Sequence, residues 1–436
     1  MTRHLSTGAA LLVAVGAVAC SSSKASTPTP KDAGRDAAHA TDAGHDAAPK
    51  KDAAPKKDAG RDAASRKDAL HDSAPSRDAR DAVADALPSL PDADAQGVAS
   101  TTVTAFDSTL ICFGSGGVGP CSRTVDAPVT FPSAGTYSSI TLHVTLDCPS
   151  NGCDPWDRVG SIDLVTGAND AGAVETLTEL GRFITPFGIV SGVNSPPAWD
   201  IDVTELRPLL AGTVTLRAFI DTWVPQGNAA AYGGGWVLGA SFVMTPGKPA
   251  KEPVAVVPIW VWTTTGQEPT QVVYGDPSQP ISTSVPPQTV TLPTGATSYG
   301  VRSTITGHGQ GNLDNCSEFC SEEHTWLVGS TPNQATVWRT DCASYPSSGT
   351  YQYSRAGWCP GASVVPWDFD VTSQVGSGAT TTVAYEVSSY VNTCNGSYPA
   401  DGGTCGGCTS GESCAYDGSD HTQPFYYVQS LLIGFR

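Results

Sequence analysis

The sequence contains very little methionine and histidine. Only 2 of its 436 residues are methionine, and one of these is Met1. The body of the chain, from residue 99 onward, has one methionine and four histidines, with no His-x-His pair. These residues are Met244, His143, His308, His324 and His421. Because copper sites need several histidine and methionine ligands, this scarcity argues against copper-dependent oxidation.

Basic residues are also scarce in the body. From residue 99 onward there are 11 Lys and Arg against 28 Asp and Glu, a net charge of −17. A surface this acidic repels phosphate backbones and anionic lipid headgroups. We therefore expect no nucleic-acid partner, whereas an uncharged substrate is compatible with the charge.

The apolar run Leu11–Val18 is far too short to span a bilayer as a permanent helix, which indicates a signal peptide over residues 1–19. The string AVAC at 17–20 fits a lipobox, which predicts lipidation of Cys20. The alternative is an ordinary signal peptide cleaved elsewhere. Ser21 in place of an acidic residue resembles bacterial lipoproteins sorted to the outer membrane. We expect an exported, outer-membrane-anchored lipoprotein that faces the periplasm or the cell surface and contacts the membrane through its lipid only.

Residues 20–98 almost lack large apolar side chains. They repeat Asp-Ala among Lys, Arg, Pro and His, and residues 21–98 carry 12 Lys and Arg against 14 Asp. Such a segment cannot bury enough apolar surface to offset the entropy of ordering it, which predicts a disordered stalk. Its charges nearly cancel, so they indicate no polyanion site.

The body has no long stretch with helical periodicity, and only 203–211 suggests a helical turn or two. It alternates apolar and polar residues with a period of two, which indicates half-buried antiparallel strands. The alternating segments 139–146 and 214–221 are predicted strands, and the β-branched and aromatic runs 383–391 and 425–435 predict two more. The polar segment 247–254 separates two stretches of similar texture. We predict an all-β body of two adjacent jelly-roll-like β-sandwich domains, residues 99–246 and 255–436, joined by a linker at 247–254.

The 13 cysteines suit an oxidising compartment, and twelve remain when the lipidated one is set aside. Eight lie at short spacings: Cys112/Cys121, Cys148/Cys153, Cys316/Cys320 and Cys342/Cys359. Four more, Cys394, Cys405, Cys408 and Cys414, lie in a glycine-rich loop at 394–414. We predict disulfides throughout, although spacing does not establish the pairing. For the CGGC string of the loop, a redox or zinc motif is the alternative.

CPSNGCDPWDR at 148–158 is the first motif with the chemistry of a site. A disulfide between its two cysteines would hold Asp157 beside Trp156 and Arg158 at the end of a strand. An indole stacks on sugar C–H groups, a guanidinium donates hydrogen bonds, and a carboxylate acts as a base. The alternative is a surface Asp157–Arg158 ion pair in a braced turn.

DNCSEFCSEEHTW at 314–326 places Glu318 at the centre of a turn pinched by two cysteines, after the glycine-rich TGHGQG at 306–311. A carboxylate held on a rigid loop suits general acid–base catalysis. The same two cysteines with His308 and His324 have the composition of a zinc site. In an exported chain we expect a disulfide there and no metal.

A third cluster combines WRTDCASY at 338–345 with SRAGWCPG at 354–361. A bridge between the cysteines of these two strings would bring Arg339, Arg355 and Trp358 near one another. Arginine with tryptophan suits carbohydrate contact, and ordinary structural packing accounts for the cluster equally well.

These motifs, with GRFITPFG at 181–188 and WDIDVTELRPLLAG at 199–212, occur in the order found in the peptide-N-glycosidase F family. Over residues 100–436 the chain resembles that family. The resemblance implies two eight-stranded jelly rolls side by side, with the active site in the cleft between them. It implies an amidohydrolase that removes N-linked glycans from asparagine of glycoproteins or glycopeptides, leaving aspartate and releasing a glycosylamine. We expect a monomer, and no motif demands a cofactor.

The resemblance also implies residue roles. Asp157 corresponds to the principal catalytic aspartate, and Glu318 to the glutamate across the cleft that acts with it through water. Asp221 stands where the family has a catalytic glutamate, so its side chain is one methylene shorter. Implied substrate-binding residues are Arg158, Trp223, Arg355 and Trp358, and the chemistry of the first motif adds Trp156. The chain departs from the family at His308, which replaces a tryptophan, and at Pro155, which replaces an acid.

Three other functions are alternatives. A non-catalytic glycan-binding or adhesion lipoprotein could use the same scaffold, and the changes at Asp221 and in the 306–311 loop favour it. A glycoside hydrolase would use the same paired carboxylates but would leave a sugar on the asparagine. A copper monooxygenase-like protein could share the double jelly-roll plan, but the chain lacks the metal ligands.

Overall fold

The computed structural model describes residues 99–114, 121–150, 152–167, 175–188, 197–224, 234–264, 271–276, 278–309, 317–345, 353–390 and 424–436. In the first half the strands are β1 (Thr101–Ile111), β2 (Thr124–Phe131), β3 (Tyr137–Asp147), β4 (Val159–Thr166), β5 (Glu175–Ile184), β6 (Ala198–Asp202), β7 (Gly212–Ile220) and β8 (Trp236–Pro246). In the second half they are β9 (Pro253–Trp260), β10 (Trp262–Thr264), β11 (Val272–Val273), β12 (Gln288–Thr291), β13 (Ser298–His308), β14 (Glu322–Val328), β15 (Thr331–Val337), β16 (Trp367–Asp370), β17 (Thr380–Val387) and β18 (Phe425–Phe435). Short 3-10 helices lie at Thr204–Leu209, Ile281–Thr283 and Cys342–Ser344.

The first sandwich consists of a four-stranded sheet, β1-β8-β3-β6, and a five-stranded sheet, β10-β5-β4-β7-β2. Its core is built by alternation along strands such as β3, where Ile140, Leu142, Val144 and Leu146 are fully buried. Because successive side chains of a strand point to opposite faces, this pattern buries one face and leaves the other partly exposed. The predicted strand at 139–146 is therefore confirmed.

The second sandwich consists of β11-β18-β13-β16, with β9 added beside β18, and the sheet β12-β17-β14-β15. Its core is rich in aromatic and β-branched side chains, including the fully buried Trp326. The Trp326 indole Nε1 donates a hydrogen bond to Ser303 Oγ at 2.6 Å, which satisfies the only polar atom of that side chain. Aromatic and β-branched residues favour the pleated, half-buried surface of a strand.

Strand β18 is buried on both of its faces. Leu431, Ile433 and Phe435 join the core of the first sandwich, whereas Val428 and Leu432 join the core of the second. A strand that is covered on both sides loses the polar face of an ordinary antiparallel strand, and this accounts for the nearly continuous apolar character of Phe425–Phe435. The sheet that contains β18 is thus shared by the two halves of the chain.

The two halves are joined further by strand pairing. β10, which follows β9 in the second half, pairs antiparallel with β5 of the first half. Val364 N donates to Arg182 O at 2.8 Å, and Ile184 N donates to Ala362 O at 2.9 Å. A buried apolar cluster that includes Trp262, Trp358 and Tyr427 fills this junction. These contacts determine where the loops at the ends of the two sandwiches meet.

The all-β, two-sandwich architecture is confirmed. Each sandwich has nine strands among the described residues rather than the eight that the family resemblance implied. The first contains β1 to β8 with β10, and the second contains β9 with β11 to β18. The short helical segment expected at 203–211 is the 3-10 helix Thr204–Leu209. The described part of the chain has no helix that is long and apolar enough to cross a membrane. The signal peptide, Cys20 and the stalk lie outside the described residues.

Candidate active site

The loop that carries Asp157 lies directly before β4 and is held by its backbone. Thr185, just after β5, donates from Oγ1 to Trp156 O at 2.7 Å and accepts from Arg158 N at 2.7 Å. The Thr185 N–H also donates to Arg158 O at 2.9 Å. One threonine therefore ties the loop on both sides of Asp157, which restricts the movement of the carboxylate.

Asp154 is fully buried and organises the side chains around this loop. Its Oδ1 accepts from Trp156 N at 3.0 Å, and its Oδ2 accepts from Arg158 Nε at 3.0 Å. Thr222 Oγ1 donates to the same Oδ2 at 2.7 Å. The ion pair of the first motif is therefore Asp154–Arg158 rather than Asp157–Arg158. Sequence reasoning missed Asp154, whose only signal was its place four residues before Arg158.

Glu318 lies in the turn between β13 and β14. Ala356 N donates to Glu318 O at 2.8 Å, and the hydroxyl of Ser317 donates to the carbonyl of His308 at the end of β13. Cys320 is disulfide-bonded, while Cys316 lies outside the described residues. The turn is thus attached to β13 and to the 354–361 segment, so Glu318 comes from the second sandwich.

Arg355 brings Asp157 and Glu318 together. This arginine is 1% exposed, and its Nε lies 3.2 Å from Glu318 Oε1 while its Nη2 lies 3.9 Å from Asp157 Oδ2. The guanidinium packs over the rings of Phe319 and Trp358, with its carbon 4.9 Å from each ring centroid. A carboxylate from each sandwich therefore contacts one buried cation, which is the arrangement that the motifs alone could not establish.

Burial changes the proton affinity of both carboxyls. Desolvation raises the pKa of Asp157, and the positive charge of Arg355 opposes that rise. Desolvation also raises the pKa of Glu318, to about 7, with Arg355 opposing the rise and the charge of Asp157 adding to it. The side chains are still 20% and 13% exposed, respectively, so both reach solvent. Glu318 can therefore exchange a proton near neutral pH, beside a second carboxyl whose pKa is also raised.

Two exposed tryptophans flank these acids in the first sandwich. Trp156 is 48% exposed and Trp223 is 39% exposed, whereas most large aromatic side chains of the described residues are buried. The rings of Phe187 and Phe113 support them at centroid distances of 5.7 and 5.3 Å, respectively. An exposed indole beside hydrogen-bonding groups is the kind of surface that stacks against a sugar ring.

Asp221, the third predicted acid, follows β7 and is ion-paired. Arg123 Nη1 lies 2.9 Å from Asp221 Oδ1, and the backbone N–H of Asp221 donates to Val159 O at 2.9 Å. These contacts place Asp221 beside the Asp157 loop. Its partner Arg123 was not among the residues that the sequence predicted for the site.

Trp358 is buried against Arg355, and the half-buried His308 lies beside this indole. Trp358 is 2% exposed and donates from Nε1 to Gly307 O at 2.6 Å. His308 stacks on this indole at 5.4 Å, and its Nε2 is 2.8 Å from Thr306 Oγ1. Burial, aided by the charge of Arg182, lowers the pKa of His308 to about 3. In this structure the Trp358 indole supports Arg355, and the imidazole beneath it is neutral.

Comparison with known proteins gives matches in both halves of the chain. The family model "Peptide-N-glycosidase F, N terminal" matches residues 165–232, and "Peptide-N-glycosidase F, C terminal" matches residues 279–399. Peptide-N(4)-(N-acetyl-beta-D-glucosaminyl)asparagine amidase F of Elizabethkingia miricola is 27% identical over 304 residues, 67% of this chain and 79% of the relative. Both halves of this chain therefore match the peptide-N-glycosidase F family.

Solved structures agree on the fold of the chain. PNGase F, described as a glycosylasparaginase from Flavobacterium meningosepticum, superposes with a TM-score of 0.57 at 24% identity, covering 77% of this chain and 96% of that one. PNGF-II superposes with a TM-score of 0.55 at 20% identity, covering 77% of this chain and 65% of that one. At these identities the superpositions establish the shared double-sandwich fold.

The predicted cysteine pairs can be compared with the structure in part. Disulfides join Cys112–Cys121, Cys148–Cys153 and Cys342–Cys359, as their spacings suggested. The loop cysteines Cys394, Cys405, Cys408 and Cys414 lie outside the described residues.

The Cys342–Cys359 bridge does bring Arg339 and Arg355 together as a backbone β-bridge. The side chain of Arg339, however, turns away to pair with Asp341 at 2.6 Å. Arg339 is therefore separate from the acids that Arg355 contacts.

Of the four residues of the zinc alternative, His308, Cys320 and His324 are among the described residues. His324 is fully buried in the second core, where its Nδ1 is hydrogen-bonded to the Tyr385 hydroxyl, while His308 stacks on Trp358. No group of three or more His, Cys, Asp or Glu side chains able to hold a metal occurs in the described residues.

Proposed function

We propose that this protein hydrolyses the amide that joins an N-linked glycan to the asparagine side chain of a glycoprotein or glycopeptide. The observation that carries the proposal is the shared contact of Arg355 with Asp157 and Glu318, which come from different sandwiches. The family's amidase F relative is named for an N-acetylglucosaminyl-asparagine substrate, and the exposed tryptophans beside the acids suit a sugar of that kind.

The proposed chemistry uses two carboxyls that differ in environment. An amide is a poor electrophile, so a water molecule must lose a proton as it attacks and the nitrogen must gain one as it leaves. The carboxyl pair of Asp157 and Glu318 takes the proton from water and returns one to the nitrogen, with Asp157 as the essential acid/base group. A raised pKa of about 7 for Glu318 suits a group that gives and takes a proton at neutral pH.

The arginines stabilise the charge that develops on the carbonyl oxygen. Arg355 is already buried beside both acids, and Arg158 is held by Asp154 at the mouth of the loop. Fixed donors in a water-poor site stabilise an oxyanion without having to reorganise during the reaction. Cleavage of the C–N bond then yields an aspartate side chain and a glycosylamine.

The test is incubation of the purified protein with a denatured N-glycoprotein, followed by mass spectrometry of each released site. Amidase action converts asparagine to aspartate, a gain of about 1 Da, whereas a glycosidase leaves a sugar. Asp157→Asn is expected to abolish this conversion, and Glu318→Gln to reduce it strongly. Asp368→Asn is the matched control, since Asp368 pairs with Arg302 at 2.8 Å away from the cleft. Full conversion by Asp157→Asn would refute the assigned role.

A glycan-binding protein without catalysis is the second candidate. The ion pair between Asp221 and Arg123 favours it, because it occupies the acid that the family resemblance assigned to catalysis. Retention on a glycan array without conversion of asparagine to aspartate would support binding alone.

We also propose that the chain is an exported lipoprotein that acts as a monomer outside the cytoplasm. The lipobox at Cys20 supports the anchor, and the disulfides support an oxidising compartment. In a bacterial host, Cys20→Ala should abolish metabolic labelling with a fatty acid and release the protein from the membrane fraction. Light scattering of the soluble body would measure its mass.

A further inference from the structure

Arg123 occupies a constrained position at the rim of the candidate site. It directly precedes β2, is 6% exposed, and its carbonyl accepts from Ile220 N at 3.1 Å at the end of β7. The Cys112–Cys121 disulfide closes the segment that leads into it. A buried arginine at the end of two paired strands has little freedom of orientation, so its contacts reflect a fixed geometry.

The guanidinium of Arg123 packs against the exposed tryptophan. Its carbon lies 3.9 Å from the centroid of the Trp223 ring, which is a close cation–π contact. Phe113 also contacts this indole, at 5.3 Å between ring centroids. Trp223 is nevertheless 39% exposed, so the surface that remains open is the one not covered by these two neighbours.

The charge of Arg123 is balanced by Asp221. Arg123 Nη1 and Asp221 Oδ1 are 2.9 Å apart, and Asp221 is itself hydrogen-bonded through its backbone to Val159, one residue after Arg158. The next residue, Thr222, donates to the buried Asp154 at 2.7 Å. Arg123 and Trp223 are thus attached to the loop that carries Asp157.

We propose that Arg123 is a positioning residue for the sugar of the substrate: it holds the Trp223 indole so that its open face stacks on an N-acetylglucosamine ring, and Asp221 serves as the counter-ion that orients Arg123. This inference rests on the proposed function. It assigns Asp221 to substrate positioning through Arg123 instead of to proton transfer. The cation–π contact with Arg123 holds the indole in place, so the orientation of Trp223 depends on this arginine.

A double-mutant cycle tests the proposal. Wild type, Arg123→Met, Trp223→Ala and the double variant are compared by isothermal titration with the N-acetylglucosamine disaccharide and by KM and kcat with an N-glycopeptide. We expect Arg123→Met to weaken disaccharide binding and raise KM by about tenfold, with kcat within about twofold. In the Trp223→Ala background the same change should add less than about twofold, because the two residues act as a unit.

Three further variants serve as controls. Arg123→Lys keeps a cation over the ring and should bind the disaccharide within about threefold of wild type, which preserves the test if Arg123→Met does not fold. Asp221→Asn should raise KM and leave the pH profile of kcat unchanged. Arg217→Met removes a buried arginine of the same β2–β7 pair, which binds Asp126 at 2.7 Å, and should leave KM unchanged.

The outcomes separate this inference from the proposed function. Disaccharide binding needs no turnover, so intact binding that depends on Arg123 without any amidase activity would refute the proposed function alone. The inference is overturned if folded Arg123→Met binds the disaccharide like wild type. It is equally overturned if the effect of Arg123→Met is as large without Trp223 as with it, or if Asp221→Asn shifts the pH profile of kcat.

Discussion

Two buried arginines, Arg355 and Arg182, each contact a carboxylate and a tryptophan, and the clusters around them differ in access to solvent. At the cleft, Arg355 contacts Asp157 and Glu318 and packs over Trp358. At the junction of the sandwiches, Arg182 is fully buried, with its Nε 2.8 Å from Glu179 Oε2 and its guanidinium carbon 4.8 Å from the centroid of Trp262. The residue types are nearly the same in the two clusters.

The junction cluster is sealed by hydrogen bonds between the halves of the chain. Arg182 Nη1 donates to Thr306 Oγ1 at 2.8 Å and to Tyr427 O at 3.1 Å. The side-chain amide of Gln429 accepts from Glu179 N at 2.7 Å and donates to Glu179 O at 3.0 Å. The side chain of Glu179 is only 1% exposed, whereas those of Asp157 and Glu318 are 20% and 13% exposed. Similar charges therefore join the sandwiches in one place and remain available for chemistry in the other.

The largest expected effect separates the clusters by stability. Arg182→Met leaves Glu179 buried without its cation, which should destabilise the fold by about 3–5 kcal/mol. Chemical denaturation of the body measures this loss. Glu179→Gln with Arg182→Met should recover part of it, since the uncompensated charge is then absent. A native free energy of unfolding in Arg182→Met would show that the junction cluster does not hold the sandwiches together.

The second prediction is that the cleft arginine matters more for activity than for stability. Arg355→Met should lower kcat/KM for an N-glycopeptide by roughly 10²–10³, because it removes a fixed donor beside both acids. We expect a smaller loss of stability than in Arg182→Met, since Asp157 and Glu318 can take up protons or contact water. Kinetics and denaturation of the two variants side by side test the contrast. Equal losses of stability would contradict it.

A third prediction concerns Asp163, which lies beside the junction cluster. Burial, with the charge of Glu179, raises its pKa from 3.8 to about 8. A carboxyl whose pKa is higher in the folded than in the unfolded state stabilises the fold at pH values below its unfolded-state pKa. This contribution is lost as the pH rises through the folded-state pKa. Relative to Asp163→Asn, wild type should therefore lose on the order of a few kcal/mol between about pH 4 and pH 8. Denaturation at several pH values measures the difference, and a constant difference would contradict the assignment.

The smallest expected effect distinguishes the groups that titrate at the cleft. His308 stays neutral because its pKa is lowered to about 3, whereas the pKa of Glu318 is raised to about 7. His308→Phe keeps the stacking on Trp358, so kcat should change by no more than about twofold. The pH profile of kcat should keep its ionisation near pH 7. Glu318→Gln should remove that ionisation. Its disappearance in His308→Phe would assign it to the histidine.

Sequence patterns predicted the strands better than the site. Period-two alternation located β3 and β7, and the apolar run at 425–435 coincides with β18, although the strand predicted at 383–391 is β17, Thr380–Val387. Alternation identifies a strand because one face must be buried, but it does not say which sheets face each other. The placement of β10 in the sheet of the first half therefore had no signal in the sequence.

The candidate site was predictable where its residues lie within a cysteine-framed motif. Asp157 and Glu318 were selected in this way, and Arg355 was linked to them through the family resemblance. Arg123 was missed because its partner Asp221 lies 98 residues further along the chain. The bonds of Arg182 to Thr306 and Tyr427 in the second half were missed for the same reason. A single sequence does not show such pairs, since any of the 11 basic residues of the body could meet any of its 28 acids.

By itself, the sequence determined the β-rich class, the acidic body, the close spacing of the cysteines and the two carboxylates that the motifs contain, since each follows from local composition or spacing. Only the tertiary structure decided that Asp157 and Glu318 share Arg355, that Trp358 supports this arginine from behind, and that Asp221 is paired with Arg123. The tertiary structure also decided the proton affinities of the acids. They depend on burial and on charges brought from the other sandwich, and neither exists until the two halves pack against each other.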